Sequence, residues 1–426
     1  MATTSIPYGS DQAVKIQSAG LFAACMQRTT TLNRLTGPMP KQSDASATLR
    51  FQTSNKMPIV RCMDLTKTAG DEITFDLINP IGGKPIMGER MAEGLGDKMS
   101  FSQDSLRINQ SRKPISAGGQ MTQQRTPHQL RALARDLAQN YMDRLVDQVN
   151  LVHLAGARGM ANDIEWAVPL ASDPEFSEIL VNAIKAPTYN RHFMSTGSGL
   201  EHIHESGNDI DIATTDVMNA DVIDAVRTKL DGMPLPPPPV HFPNDQAATD
   251  SPLRVLLVSS EQYTSIVQSN SGAFRTFQAN AYARAALAKN HPLFMGEVGL
   301  WNGILIVKMP KPIRFYAGDS MQYCASATSA TESAGLVPAS FSTTHAVDRA
   351  LLLGGQALAV AFGKTRQTGN PFFWSEKELD HGDKLEILIG MINGCSKIRF
   401  SIDHGGGGVQ PTDFGVMAID TAVAIA

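Results

Sequence analysis

An α+β fold is what this sequence predicts, and three observations predict it. A strand-like hairpin pattern comes first, a single long one-faced helix follows, and a late block mixes short strands with helices. The 426 residues suffice for two or three compact domains, and 42% hydrophobic residues can bury a sizeable core. Charged residues are only 18%, and 37 basic against 41 acidic side chains leave a net charge of −4. That balance exerts no global pull on nucleic acid or an anionic membrane. Cys25, Cys62, Cys324 and Cys395 are scattered without C-x-x-C spacing, so buried free thiols are expected and a disulfide framework is not. Met1 to Ser10 has neither a basic start nor an apolar core, and the most apolar stretch, Ala350 to Phe362, is too short to span a bilayer. A soluble chain made in a cytosol is expected.

Residues 1–60 are polar and mixed, with a brief helical pattern at Ala13–Met26, and read as an extended N-terminal arm. Residues 61–125 read as an extended hairpin. Ile73, Phe75 and Leu77 share one strand face, and alternation resumes near Leu106 and Ile108. Between them, Asn79 to Ser100 is rich in glycine and in charges of both signs. Such a hairpin is too thin to carry its own core and is expected to lean on a neighbouring surface.

The clearest element comes next, a helix over about 127–155. Thr126 suits the N-cap and Pro127 the first helical position. Leu130, Leu133, Leu137, Tyr141, Leu145, Val149 and Val152 follow at three- and four-residue steps, with Ala134 and Ala138 widening the stripe. Running to Gly156, the helix would be about 40 Å long, a spine beneath a sheet. A coiled coil competes, but only about four heptads are available and the spacing drifts from 3.5.

Residues 160–250 are poorly patterned and carry Met233 to Pro239, read as a rigid connector in preference to an SH3-type ligand. Arg254–Val258 reads as a buried strand, Glu261–Gln268 as a short helix and Gly303–Val307 as another strand. Ala350–Ala361 is strand or helix, and Leu385–Ile389, Lys397–Ile402 and Phe414–Ile419 read as closing strands.

Charge is distributed in blocks. From Arg107 to Arg135 six residues are basic and none is acidic; from Glu201 to Val226 seven are acidic and none is basic. The blocks are either two solvated faces or surfaces that meet across subunits.

Motifs for chemistry are weak throughout. Gly363-Lys364-Thr365 resembles the end of a phosphate loop, but the required earlier glycine falls at Leu358. His404 with Gly405 to Gly408 resembles an oxyanion turn, yet no G-x-S-x-G pentapeptide accompanies it. His192, His202 and His204 lack credible further ligands for zinc, and the neighbouring pairs Asp403–His404 and Asp380–His381 point apart on a strand. No catalytic residue, cofactor or metal site is therefore assigned.

Several segments resemble a known family. Asn79 to Gly88, Leu106 to Gln110, Gly118 to Thr126 and Asp147 to Gly159 are similar to the phage capsid-like family that includes the N-four-type major capsid proteins. So are Ser260 to Tyr263, His291 to Phe294, Gly299 to Gly303, Arg349 to Gly354, Asp380 to Gly382, Gly394 to Phe400 and Asp413 to Val416. Together they cover most of the chain apart from about 160–250 and 320–345.

The resemblance implies a Hong Kong 97-type major capsid fold. It divides the chain into the N-terminal arm (1–60), the E-loop hairpin (61–125) and a peripheral domain with the spine helix (126–250). An axial domain (251–370) follows, and closing strands (371–426) return to the peripheral domain. It implies a tailed-bacteriophage major capsid protein that assembles into hexamers and pentamers of an icosahedral head enclosing double-stranded DNA. Candidate intersubunit contacts are Lys84, Glu89, Arg90, Glu93, Asp97, Lys98, Arg107, Arg112, Lys113, Arg125, Arg131 and Arg135. Implied partners are other copies of the chain, a portal protein, scaffold and decoration proteins, and packaged DNA touched without sequence readout; no membrane is implied. Assembly is expected in the host bacterial cytoplasm, and no Lys–Asn crosslink is assigned. The alternatives are an encapsulin-like compartment shell, which shares the fold, and a hydrolase using His404.

Overall fold

The computed structural model describes residues 30–38, 57–62, 70–78, 85–91, 93–96, 101–126, 130–242, 251–269, 271–287, 299–365, 369–403 and 408–425. Most of the expected arm, including Ala13–Met26, lies outside them.

The hairpin pairs Glu72–Ile78 with Phe101–Arg107, in register from Glu72 opposite Arg107 to Ile78 opposite Phe101. Ile73 and Leu77 are buried as the alternation predicts. At its base the hairpin leans on its own chain, where Ile73, Leu77 and Leu106 pack with Val60, Phe400 and Ile402. Polar ties reinforce this seat: Asp104 accepts from Lys185 Nζ at 2.9 Å and from the Arg399 backbone N–H at 2.9 Å. The chain then runs into an eleven-residue strand, Asn109–Gly119, antiparallel to Lys384–Lys397. Pro114 is tolerated there because the strand lies at a sheet edge.

A short helix the patterning did not reveal, Gln120–Arg125, precedes the long one, and Thr126 is its extended C-cap. That extended backbone is also the one an N-cap takes, and Pro127, with the start of the long helix expected there, lies outside the described residues. The long helix is Leu130–Ala155. It ends at Gly156, whose φ of +64° and close approach to the Lys185 carbonyl leave no room for a Cβ. From Leu145 to Ala155 every residue is buried, Asp147, Gln148, Asn150 and His153 included, so this part is enclosed on all sides where a single buried face was expected. In its first half Ala134, Ala138 and Met142 face the core, while Leu133 and Leu137 are 46% and 62% exposed. The leucine stripe therefore does not mark the inward face there. Small alanines let the helix approach the sheet that carries Ile387 and Ile389, and the leucines turn outward.

Two sheets make the body. The six-stranded one runs Thr36–Pro38, Ile59–Cys62, Leu358–Phe362, Lys384–Lys397, Phe372–Leu379, with Asn109–Gly119 also paired to Lys384–Lys397. The eight-stranded one runs Gly299–Trp301, Ile304–Lys308, Arg254–Val258, His345–Leu353, Val416–Ala424, His192–Ser195, Leu200–His202, with Arg314–Phe315 added to His345–Leu353. Arg254–Val258 is buried along its whole length because both faces of this sheet are covered. Val255, Leu257 and Leu351 join the core shared with the long helix. Leu256, Val258 and Leu352 face Ala220–Gly232, Ser260–Ser269 and Ser271–Leu287.

The uncertain run Ala350–Ala361 belongs to two strands, broken at Gly354-Gly355, where the Pro238 carbonyl crowds the backbone and accepts from the Gly355 N–H. The Pro-rich segment is thereby built into the fold, with the Pro237 carbonyl taken by Arg254 Nε at 2.7 Å. The divisions drawn on the sequence at 251, 370 and 371 do not coincide with sheet boundaries. Leu358–Phe362 leaves the eight-stranded sheet for the other, and of the closing strands Phe372–Leu379 and Lys384–Lys397 join the hairpin strand whereas Val416–Ala424 lies inside the eight-stranded sheet. Strand order is set by pairing over long sequence separations, which local pattern does not encode.

Candidate assembly interface

The hairpin tip is the most exposed part of the described chain. Met87, Met91 and Leu95 are 70%, 73% and 64% exposed, and Gly88 and Gly94 take positive φ with open space around them. Glu89, Arg90 and Glu93 are exposed on the same tip; Lys84, Asp97 and Lys98 lie outside the described residues. The other expected contact residues are all exposed, on the hairpin strands and the two helices that follow. Arg107 faces Glu72 across the hairpin at 3.7 Å, Arg131 pairs with Glu376 at 2.8 Å, and Lys113 lies 5.2 Å from the Tyr141 ring centre. The exposed Arg107–Glu72 pair holds its side chains weakly, whereas Arg131 is anchored on Glu376, whose side chain is only 8% exposed.

Between the long helix and the edge strand lies a cleft of about 380 Å³. Tyr141, Leu145, Val149, Ile179 and Val181 form its apolar lining, and Arg112, Lys113, Glu175 and Glu178 contribute polar groups. Val181 stands at φ +66°, a region β-branched residues avoid. Its neighbour Asn182 pins the site, donating from Nδ2 to the Arg107 and Cys395 carbonyls and accepting from the Arg107 N–H. The exposed Leu133 and Leu137 lead along the helix toward Tyr141 at this cleft.

Behind this surface is a set of buried charges that sequence reading missed. Arg349 donates to both Asp420 oxygens, at 2.7 and 3.0 Å, and to the Ala155 carbonyl at the end of the long helix. His192 Nε2 contacts the same carboxylate at 2.7 Å, and its Nδ1 has no hydrogen-bond partner. Burial keeps this imidazole below its ordinary pKa, which fits a neutral ring donating from Nε2. Lys397 and Arg399 flank Asp413 at 2.7 and 2.8 Å. Burial lowers the Lys397 ammonium to about 8. At Asp413 burial works toward a higher pKa, but the two cations outweigh it and hold the carboxyl below its usual range. Arg314 pairs with Asp348 at 2.7 Å, and Gln262 donates to the Asp348 carbonyl. These groups tie the helix end to strands far apart in sequence. The only sequence signal was a charge inside an apolar run, as in Arg349-Ala350-Leu351-Leu352-Leu353.

The residues weighed for chemistry do not converge. His192 is buried on Asp420, His202 stacks on Tyr189 at 4.4 Å between ring centres, and His204 pairs with Asp211 at 3.1 Å. Gly363 gives its N–H to the Ile392 carbonyl and Thr365 bonds Asn370, so that loop is engaged with its own chain. His404 to Gly407 lie outside the described residues. Among the described residues no group of three His, Cys, Asp or Glu is placed to hold a metal, and no helix is long and apolar enough to cross a membrane. Cys62, Cys324 and Cys395 are buried free thiols, as expected.

Comparison with known proteins identifies the architecture. A search among curated proteins finds no match. The family described as phage capsid protein matches residues 5–425. The fold is similar to that of the capsid of Ralstonia phage GP4, at 26% identity and a TM-score of 0.66, covering 88% of this chain and 89% of that one. It is similar also to the cyanophage Pam1 capsid, at 16% identity and a TM-score of 0.57, covering 91% and 100%. The acidic stable capsid of Helicobacter pylori bacteriophage KHP30 shares the fold at 11% identity and a TM-score of 0.57, covering 93% and 92%. The α+β architecture is the Hong Kong 97-type capsid fold that the resemblance implied. With a hairpin that ends in open space and a family match spanning nearly its whole length, the chain belongs to the phage capsid protein family and is a major capsid protein of an icosahedral phage head.

Proposed function

We propose that this subunit builds the head as hexamers and pentamers around double-stranded DNA, and that the hairpin tip reaches onto a neighbouring copy. The observation that carries this reading is the tip itself: Met87, Met91 and Leu95 are exposed on a segment where Gly88, Gly94 and Gly96 have open space beside them. Methionine adapts its shape to a partner surface, so a tip of this composition suits subunits that meet at slightly different angles. Glu89, Arg90 and Glu93 then set register, together with Arg107, Arg112, Lys113, Arg125, Arg131 and Arg135 on the strands and helices behind. In this reading the subunit works without catalysis, each contact being modest and the closed shell gaining from their number.

A portal protein, scaffold and decoration proteins, and assembly in the host cytoplasm complete the proposal. The family match favours a phage head over an enzyme-enclosing compartment. Deleting residues 80–97 tests the tip. The expected product is a folded subunit with unchanged circular dichroism that forms no closed particles in negative-stain images; normal particles from the deletion would remove the role given to the hairpin.

A further inference from the structure

One side of the long helix carries both a projection and a recess. The projection is Ile164, 99% exposed at the tip of a tightly built turn. Asp163 Oδ1 accepts the Glu165 N–H at 2.8 Å and the Asp163 carbonyl accepts the Trp166 N–H. Lys311 bridges the carboxylates of Asp163 and Glu165, each at 2.7 Å. Below the turn the Arg158 guanidinium lies 3.5 Å from the Trp166 ring centre and donates to the Val168 carbonyl. Gln148 of the long helix seats the whole loop, donating to the Glu165 carbonyl at 2.7 Å and accepting from the Ala167 N–H at 2.6 Å. A single exposed aliphatic residue on a mobile loop is ordinary. One held by two ion pairs, a cation–π contact and five hydrogen bonds to backbone groups is pre-organised for a partner.

The recess is the cleft at Tyr141, Leu145 and Val149. Gln148 lies seven residues, two helical turns, beyond Tyr141, so the loop seat and the cleft share one side of the helix. At roughly 380 Å³ the cleft has ample room for one isoleucine side chain. The charges fit as well. Ile164 is flanked by Asp163 and Glu165, whose side chains are 50% and 60% exposed, and the exposed Arg112 and Lys113 stand at the cleft.

We propose that this side of the helix is a self-complementary contact between two copies of the chain, in which Ile164 of each enters the cleft of the other. A two-fold arrangement follows from having projection and recess on the same surface, because each copy then offers and receives the same groups. Asp163 and Glu165 of one copy lie against Arg112 and Lys113 of the other. This rests on the shell reading above and adds a contact separate from the hairpin.

The test co-expresses two single variants, Ile164→Cys and Gln110→Cys, Gln110 being an exposed strand residue at the cleft. A disulfide between the two thiols of such mixed particles requires contact between copies. The expected result is a covalent dimer on a non-reducing gel, formed only when both variants are present. In parallel, Ile164→Asp is expected to raise the subunit concentration needed for assembly about tenfold while leaving circular dichroism unchanged. Particles containing both cysteine variants without a dimer, or Ile164→Asp particles forming at the wild-type concentration, overturn the contact and leave the shell reading standing. Wild-type protein that forms no particle overturns both.

Discussion

Among single residues, the buried ionisable ones carry the sharpest consequences. His153 is 1% exposed, its Nε2 lies 3.2 Å from the Leu180 carbonyl, and burial lowers its pKa to about 4. His192 is shifted in the same direction by burial. A histidine whose pKa is lower in the folded chain binds its proton more readily when unfolded. Stability is then unaffected above about pH 6.5, falls as pH drops below that value, and levels off for His153 below about 4. Thermal unfolding followed from pH 7 to 4 should show this decline, on the order of 3 kcal/mol for His153. His153→Gln should flatten the curve; an unchanged slope would remove the histidine from the explanation. Arg349 is a second such residue. Arg349→Met leaves Asp420 without its bidentate partner and the Ala155 carbonyl without a donor. A loss of about 3–5 kcal/mol is expected in denaturant titration, because the remaining charge is buried.

The lesson among the elements concerns the long helix. Periodicity predicted the helix, but past Leu145 it is buried on every side and not on one face, and the inward side of its first half is the alanine side. Leu133, Leu137 and Ala134, Ala138 occupy adjacent stripes, and hydrophobicity favours the leucines; the close approach of the sheet selects the alanines. Two substitutions separate the stripes. Leu137→Ser should alter subunit stability by no more than about 0.5 kcal/mol, since Leu137 is 62% exposed. Ala138→Leu should cost about 1–3 kcal/mol by overpacking a position with no exposed area. Equal effects in urea titrations would contradict this assignment. Two other helices were less legible. Ala220–Gly232 is capped by Asn219, which accepts from the Val222 N–H, and buries Val222, Ile223, Val226 and Leu230. Its cap and spacing are present in the sequence but are interleaved with the acidic Asp221 and Asp224, which mask the apolar stripe. Ser271–Leu287 has little contrast between its sides and offered no comparable signal.

For the whole molecule, the two charge blocks belong to different regions. All six basic side chains of Arg107 to Arg135 are exposed on the hairpin strands and helices. The acidic block lies around Leu200–His202 and Ala220–Gly232, partly engaged by its own chain, as where Asp224 accepts from Trp301 Nε1 at 2.7 Å. If the blocks meet between subunits, added salt screens them within about 8 Å at physiological ionic strength and further beyond it. Assembled particles should then dissociate more readily as salt rises, measured by light scattering. Particles indifferent to salt would show the blocks to be solvated faces.

The sequence by itself determined the α+β class, the hairpin, the long helix and its glycine stop, and the order of segments that resembles phage capsid proteins. Each is written in local periodicity or in residues with special backbone freedom. Tertiary structure alone decided which stripe of the helix turns inward, that Val416–Ala424 lies between His345–Leu353 and His192–Ser195, and that Arg349, Asp420 and His192 meet. Those outcomes depend on partners separated by 71 positions, as Arg349 and Asp420 are, up to 228, as His192 and Asp420 are; the free energy of burying and pairing them is settled only once the chain has closed on itself.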